Sequence, residues 1–214
     1  IEGPVSVFYG TNAMGGTINL ITKKIQKEYF SGSISGYYES INAKKTEASF
    51  GTKFDKNSIK ASTGYYKFNG LNTNKENLRS YTWPNKYQYF TNLKYIRDLG
   101  NFKLRFSSDF SKELVHILGE IEKTKATDID YTTKRFDNSL NFQGKLNNDN
   151  YIDITTSYLN YDRFDTTYTY NSNENSSELI EDNPNENGNY FDSFFVKGQI
   201  AKSKTESVFN YVIG

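Results

Sequence analysis

The chain of 214 residues contains no cysteine, one histidine, one methionine, one tryptophan and only three prolines. Without cysteine there is no disulfide framework and no thiol chemistry, although no compartment follows from that. A lone histidine, His116, cannot by itself build a histidine-rich metal site. No apolar run approaches the roughly 20 residues that a membrane-spanning helix needs, and the mean hydropathy of -0.75 is far too low for a helical membrane protein. Neither sign of charge dominates, with 26 Lys and Arg against 25 Asp and Glu. That balance singles out neither nucleic acid nor an anionic surface as a partner. No nucleophile elbow, phosphate-binding loop or dinucleotide fingerprint occurs in its required context, so the reading is of a non-enzyme without a cofactor.

What is abundant is tyrosine, 18 residues, and phenylalanine, 16. That is β-sheet usage. Alternating runs punctuated by turn residues predict about nine strands, at 28–39, 45–54, 58–68, 86–98, 102–110, from 133, at 152–158, 190–200 and 206–214. The fifth alternates most clearly: Phe102, Leu104, Phe106, Ser108 and Phe110 against Lys103, Arg105, Ser107 and Asp109. Segments 69–85, 111–132 and 171–189 read as long connections, whereas 55–57, 99–101, 147–150 and 202–205 read as short turns. Long and short therefore alternate, with 40–44 as the exception.

Two architectures give this alternation. In a soluble sandwich the apolar face is the core; in a membrane barrel it meets lipid. Loop parity and aromatics near strand ends (Tyr65, Tyr87, Tyr151, Tyr158) favour an all-β, antiparallel, up-and-down transmembrane β-barrel. Lys103 and Arg105 would each cost about 2–4 kcal/mol against lipid near the midplane, so they are expected to face the lumen.

The first 24 residues have a different character. Gly3-Pro4 breaks an extended segment, Tyr9-Gly10 ends a short turn of helix, and Gly15-Gly16 permits a tight bend before the β-branched run 17–22. Gly3, Pro4, Tyr9, Gly10, Asn12, Gly15, Gly16, Ile18, Asn19, Ile21, Thr22 and Lys23 stand in the order found at the end of a plug domain. In this the segment closely resembles the plug-to-barrel junction of TonB-dependent outer-membrane receptors.

The resemblance implies two parts: residues 1–24 as the C-terminal end of a plug, and 25–214 as the first part of a barrel of about 22 strands. With no signal peptide and its one Met at Met14, the sequence reads as an internal piece of a longer protein. The implied activity is import of a ferric siderophore, haem or cobalamin-like ligand across the outer membrane of a Gram-negative bacterium. The implied partners are a small metal chelate, outer-membrane lipid, and a TonB-type inner-membrane energy complex reached through a preceding segment. The alternatives are a passive barrel or adhesin, and a soluble β-rich binding protein.

Candidate ligand contacts are few. Arg79, Tyr81 and Trp83 in the connection 69–85 offer an amphipathic surface for a chelate or ring-shaped ligand. His116 lies in the expected external connection 111–132, with Glu113, Glu120 and Glu122 nearby. The segment 183–188 has an Asn where a calcium loop needs Asp, and Phe194 where it needs Glu, so an EF-hand is rejected. Glu178, Glu181, Asp182 and Glu186 read as a solvated loop in preference to a metal site.

Overall fold

The computed structural model describes residues 30–73, 79, 81–146, 150–181, 188–202 and 211–214. All described regular structure is antiparallel β-sheet, in ten strands. They are β1 (Phe30–Tyr38), β2 (Ala43–Phe54), β3 (Asn57–Phe68), β4 (Asn85–Asp98), β5 (Phe102–Ile117), β6 (Lys125–Lys145), β7 (Asn150–Asn171), β8 (Ser176–Glu181), β9 (Asn189–Lys202) and β10 (Tyr211–Ile213). Strand order follows chain order from β1 to β7, then β9 and β10, with β8 pairing to the outer part of β7. Each strand thus pairs with its chain neighbour, as alternating segments joined by tight turns require. β1 and β10 form the two ends of this order.

The turns carry the expected chemistry. Asp55 (φ 47) opens the β2–β3 hairpin in the left-handed region, which short polar residues tolerate. Gly100 (φ 84) turns β4 into β5, its N–H donating 2.9 Å to Asp98 Oδ1. The turns 55–56 and 99–101 lie at one end of the sheet, and 39–42 and 118–124 at the other, where β3 also ends at Phe68 and β4 begins at Asn85. The anticipated parity holds here, with the same short exception after β1.

Directly opposed residues share a face, and the register carries two faces across the sheet. One passes through Phe50, Ala61, Leu93, Ser108, Asn138, Tyr158 and Phe194, and through Ile59, Tyr95, Phe106, Leu140, Thr156 and Val196 in the adjacent row. The other passes through Ser49, Ser62, Asn92, Asp109 and Asp137. The first is mainly apolar and the second mainly polar, with Phe90, Ile96, Leu159, Phe191 and Phe195 among the apolar intrusions on the second.

Among the described residues neither face is covered by a second layer. Among the described residues the buried apolar side chains are Ala43, Phe68 and Ala126, and the one buried charge is Asp128. The accessible surface, 15529 Å², exceeds the roughly 10,000 Å² expected of a folded monomer of this mass. Ile34 (85 %), Phe194 (72 %) and Phe30 (65 %) stand almost free on the apolar face. This is a single layer without a core.

The structure corrects several boundaries. Segment 111–132 is mostly strand, since β5 runs to Ile117 and β6 starts at Lys125. β7 has 22 residues and reaches Asn171, and the acidic segment 171–189 contains β8, making ten strands where nine were expected. These regions lost their alternation in the sequence because both of their faces are polar, while the backbone ladder continues regardless. Tyr151 is directly opposite Lys145 and Ala201, on the polar face, so it does not belong with the apolar-face tyrosines.

Glycine fixes register at two aromatic pairs. Gly64 is directly opposite Phe90, and Gly144 opposite Phe102; each ring covers the space a side chain would take. A Cβ on Gly144 would lie 2.2 Å from Asn101 O and 2.6 Å from Phe102 Cα, both backbone atoms. Gly144→Ala should therefore destabilise the folded protein by about 1–3 kcal/mol, as overpacking does. Gly198→Ala, with nothing within 4 Å of its Cβ, should be close to neutral. Denaturant midpoints of the two variants check this, and equal midpoints would count against the register.

Candidate functional site

β5, β6 and β7 outgrow their neighbours, with 16, 21 and 22 residues, and project beyond the apolar band at the end carrying the longer connections. Three of the four ligand-contact candidates have defined partners at this end, and the fourth is exposed beside them. Arg79 docks on the projecting sheet. Its Nη2 pairs with Asp128 Oδ1, and its Nε donates 3.1 Å to Gly119 O. Its guanidinium lies 4.1 Å from the centroid of the Tyr170 ring.

Asp128 is 4 % exposed and also accepts the Gly119 N–H at 3.1 Å. Gly119 is needed there, because a Cβ would sit 2.2 Å from Thr127 O. The contact binds the β3–β4 connection, the β5–β6 connection, β6 and β7 into one clasp. A buried ion pair broken on one side costs about 3–5 kcal/mol, so the arginine is committed to structure.

Tyr81 packs against Gly70 (φ 81), where a Cβ would come within 2.7 Å of Tyr81 Cδ1. Trp83 closes a bridge with Leu71, whose N–H donates 2.9 Å to Trp83 O, and its side chain remains 56 % exposed. His116 is in strand β5 instead of a loop, directly opposite Asp130, and its Nδ1 bonds to Asp130 Oδ1. The structure thus brings Arg79 and His116 to carboxylates two residues apart on one face of β6. Trp83 is the most exposed aromatic of the set.

The partners Asp128, Asp130, Gly119 and Tyr170 were not legible in the sequence. The Arg79–Asp128 contact spans 49 residues, and nothing local distinguishes either residue. Among the described residues no three His, Asp or Glu side chains are grouped to hold a metal. Asp182 and Glu186 lie outside the described residues, as does the whole junction motif from Gly3 to Lys23.

The polar face carries a second constellation. Ser62 Oγ donates 3.1 Å to Asn92 Oδ1, and Asn92 Nδ2 donates 2.5 Å to Asp109 Oδ1. Arg105 Nη1 donates 2.9 Å to Asn141 Oδ1, whose Nδ2 reaches Asp153 at 2.6 Å and Thr155 at 2.9 Å. Such cross-strand networks satisfy polar side chains without water. The lysines towards the longer-connection end of this face are paired too, Lys45 with Glu47 at 2.8 Å and Lys86 with Glu113 at 2.5 Å.

No family model, curated protein or solved structure matches the chain.

The clasp makes a direct prediction. In the full-length protein, Arg79→Ala should free the β3–β4 connection and raise its rate of proteolytic cleavage severalfold. Arg79→Lys should recover only part of the protection, since ammonium cannot make both bonds of the planar fork. Unchanged cleavage in Arg79→Ala would show that the connection is held by other contacts.

Proposed function

We propose that the chain is the plug-to-barrel junction and the first part of the barrel wall of a TonB-dependent outer-membrane active transporter. Its cargo class is a metal chelate or related ring-shaped ligand: a ferric siderophore, haem or a cobalamin-like molecule. The observation that carries the barrel half is one uncovered sheet with an apolar face and a polar face in continuous register.

A core-less layer of this extent needs an apolar medium on one side and a polar interior on the other. From Phe102 to Phe110 the apolar band runs about 27 Å along β5. Tilted by about 40°, that becomes roughly 20 Å, near the ~25 Å band of outer-membrane barrels. Short turns at one end and long connections with projecting strands at the other match the periplasmic and external rims of such barrels. Lys103, Arg105, Asp109 and Asp137 then face the lumen, where a plug would meet them.

The wall alone fits a passive barrel or adhesin equally well. The ordered motif from Gly3 to Lys23 favours an energised transporter, because a plug requires active rearrangement. In that reading the clasped external sheet presents Trp83 to arriving ligand, while Arg79 holds its loop in place.

The test uses the full-length protein in its native envelope. It should fractionate with the outer membrane, and uptake of one member of a labelled panel of ferric siderophores, haem and cobalamin should fall to background when the energy complex is deleted. Persistent uptake would reject the active mechanism. Recovery from the periplasm without detergent would reject the barrel.

A further inference from the structure

The apolar face does not end uniformly. Just beyond the hydrophobic band, on the side of the longer connections, it carries Lys44, Lys67, Lys112 and Lys134. Lys44 is directly opposite Lys67, and Lys112 directly opposite Lys134. Directly opposed residues in an antiparallel ladder lie about 4.5–5.5 Å apart at Cα, and like charges there are destabilising. The contrast with the polar face is direct, since Lys45 and Lys86 there have carboxylate partners.

Among the described residues, three of the four on the apolar face lie over aromatic rings with no carboxylate partner, whereas Lys45 on the polar face has both Glu47 and the Phe90 ring, at 5.1 Å. Lys44 Nζ is 5.7 Å from the Tyr38 centroid, Lys67 Nζ 5.4 Å from Tyr87, and Lys134 Nζ 5.3 Å from Phe164. Asp162, directly opposite Lys134 on β7, is the carboxylate in the same row. Among the described residues no ion pair joins it to Lys134.

Beside Lys112 the same face is concave. Tyr65, Tyr87, Tyr89, Lys112 and Leu114 line a depression of about 300 Å³, with the Tyr65 and Tyr89 rings 4.6 Å apart. It is apolar on its floor and cationic at its margin, and it opens where the hydrophobic band gives way to polar strand. The chain's near-zero net charge conceals this segregation.

We infer that this strip is a binding site for the phosphate-bearing headgroup of a bilayer amphiphile, with the tyrosine depression taking the first apolar part of the same molecule. An anion between Lys112 and Lys134 relieves their opposition, and the rings keep the ammonium groups at headgroup height. The site rests on the barrel reading, which sets this face against lipid.

The experiment is native mass spectrometry of the detergent-purified full-length protein. It is titrated in parallel with phosphatidic acid, with diacylglycerol of matched chains, and with inorganic phosphate. Phosphatidic acid should be retained about tenfold or more over diacylglycerol, the scale expected of a few lysines at an anionic surface. K67Q/K112Q/K134Q should abolish the preference, the triple arginine variant should retain it, and the polar-face control K60Q/K103Q should leave it unchanged.

Equal retention of phosphatidic acid and diacylglycerol, or a preference that survives the triple glutamine variant, would overturn the site. Full competition by inorganic phosphate would also overturn it, by showing a free-anion site. These failures leave the barrel standing, whereas a protein that needs no detergent removes the barrel and the site together.

Discussion

A sheet one layer thick has no interior, and everything else here follows from that constraint. A globular domain hides its apolar residues against a second layer; this sheet hides almost none among the described residues. Stability must come from the ladder of backbone bonds and from the media on its two sides. The register therefore carries the weight that a core carries elsewhere, because a slip of one residue would exchange the two faces along a whole strand. The aromatic–glycine pairs Gly64–Phe90 and Gly144–Phe102 add a shape constraint to the polarity constraint.

The projecting end of the sheet answers to different physics. Beyond the band polar and charged side chains occur on both faces, so hydrophobic alternation no longer selects the pairing. Specific contacts replace it: the Arg79–Asp128 pair, the His116–Asp130 pair, and Arg163 stacked 4.6 Å from the Tyr131 centroid. The one buried charge among the described residues, Asp128, lies in this region. Its partner arrives from a connection, so the clasp gives long strands a lateral brace that the ladder alone does not supply.

The same division explains what could be read from the sequence. Phe102 to Phe110 is half-apolar, and its alternation located β5, its face and its neighbours' faces. The pattern stops at Ser111 because Lys112, Glu113 and His116 put charged and polar groups on both faces, although the ladder runs on to Ile117. β8 was hidden in an acidic stretch that composition assigns to loop, and Tyr151 looked like its neighbours until register set it opposite Lys145. Arg79 was singled out for its chemistry, but its partner depends on which strands meet, and no local signal carries that. The junction motif, the most specific signal in the sequence, lies outside the described residues and remains a matter of resemblance.

The two ends of the strand order among the described residues, β1 and β10, bear on how such a sheet would close into a barrel. Every described pairing joins segments that are neighbours along the chain, apart from the short step in which β9 passes β8 to reach β7. Each hairpin therefore closes a small loop and forgoes little chain entropy. In a closed barrel the only distant meeting is between β1 and the last strand. That single seam would concentrate the slow step of folding. Until it formed, β1, exposed along all nine residues, would be an open template for any passing strand.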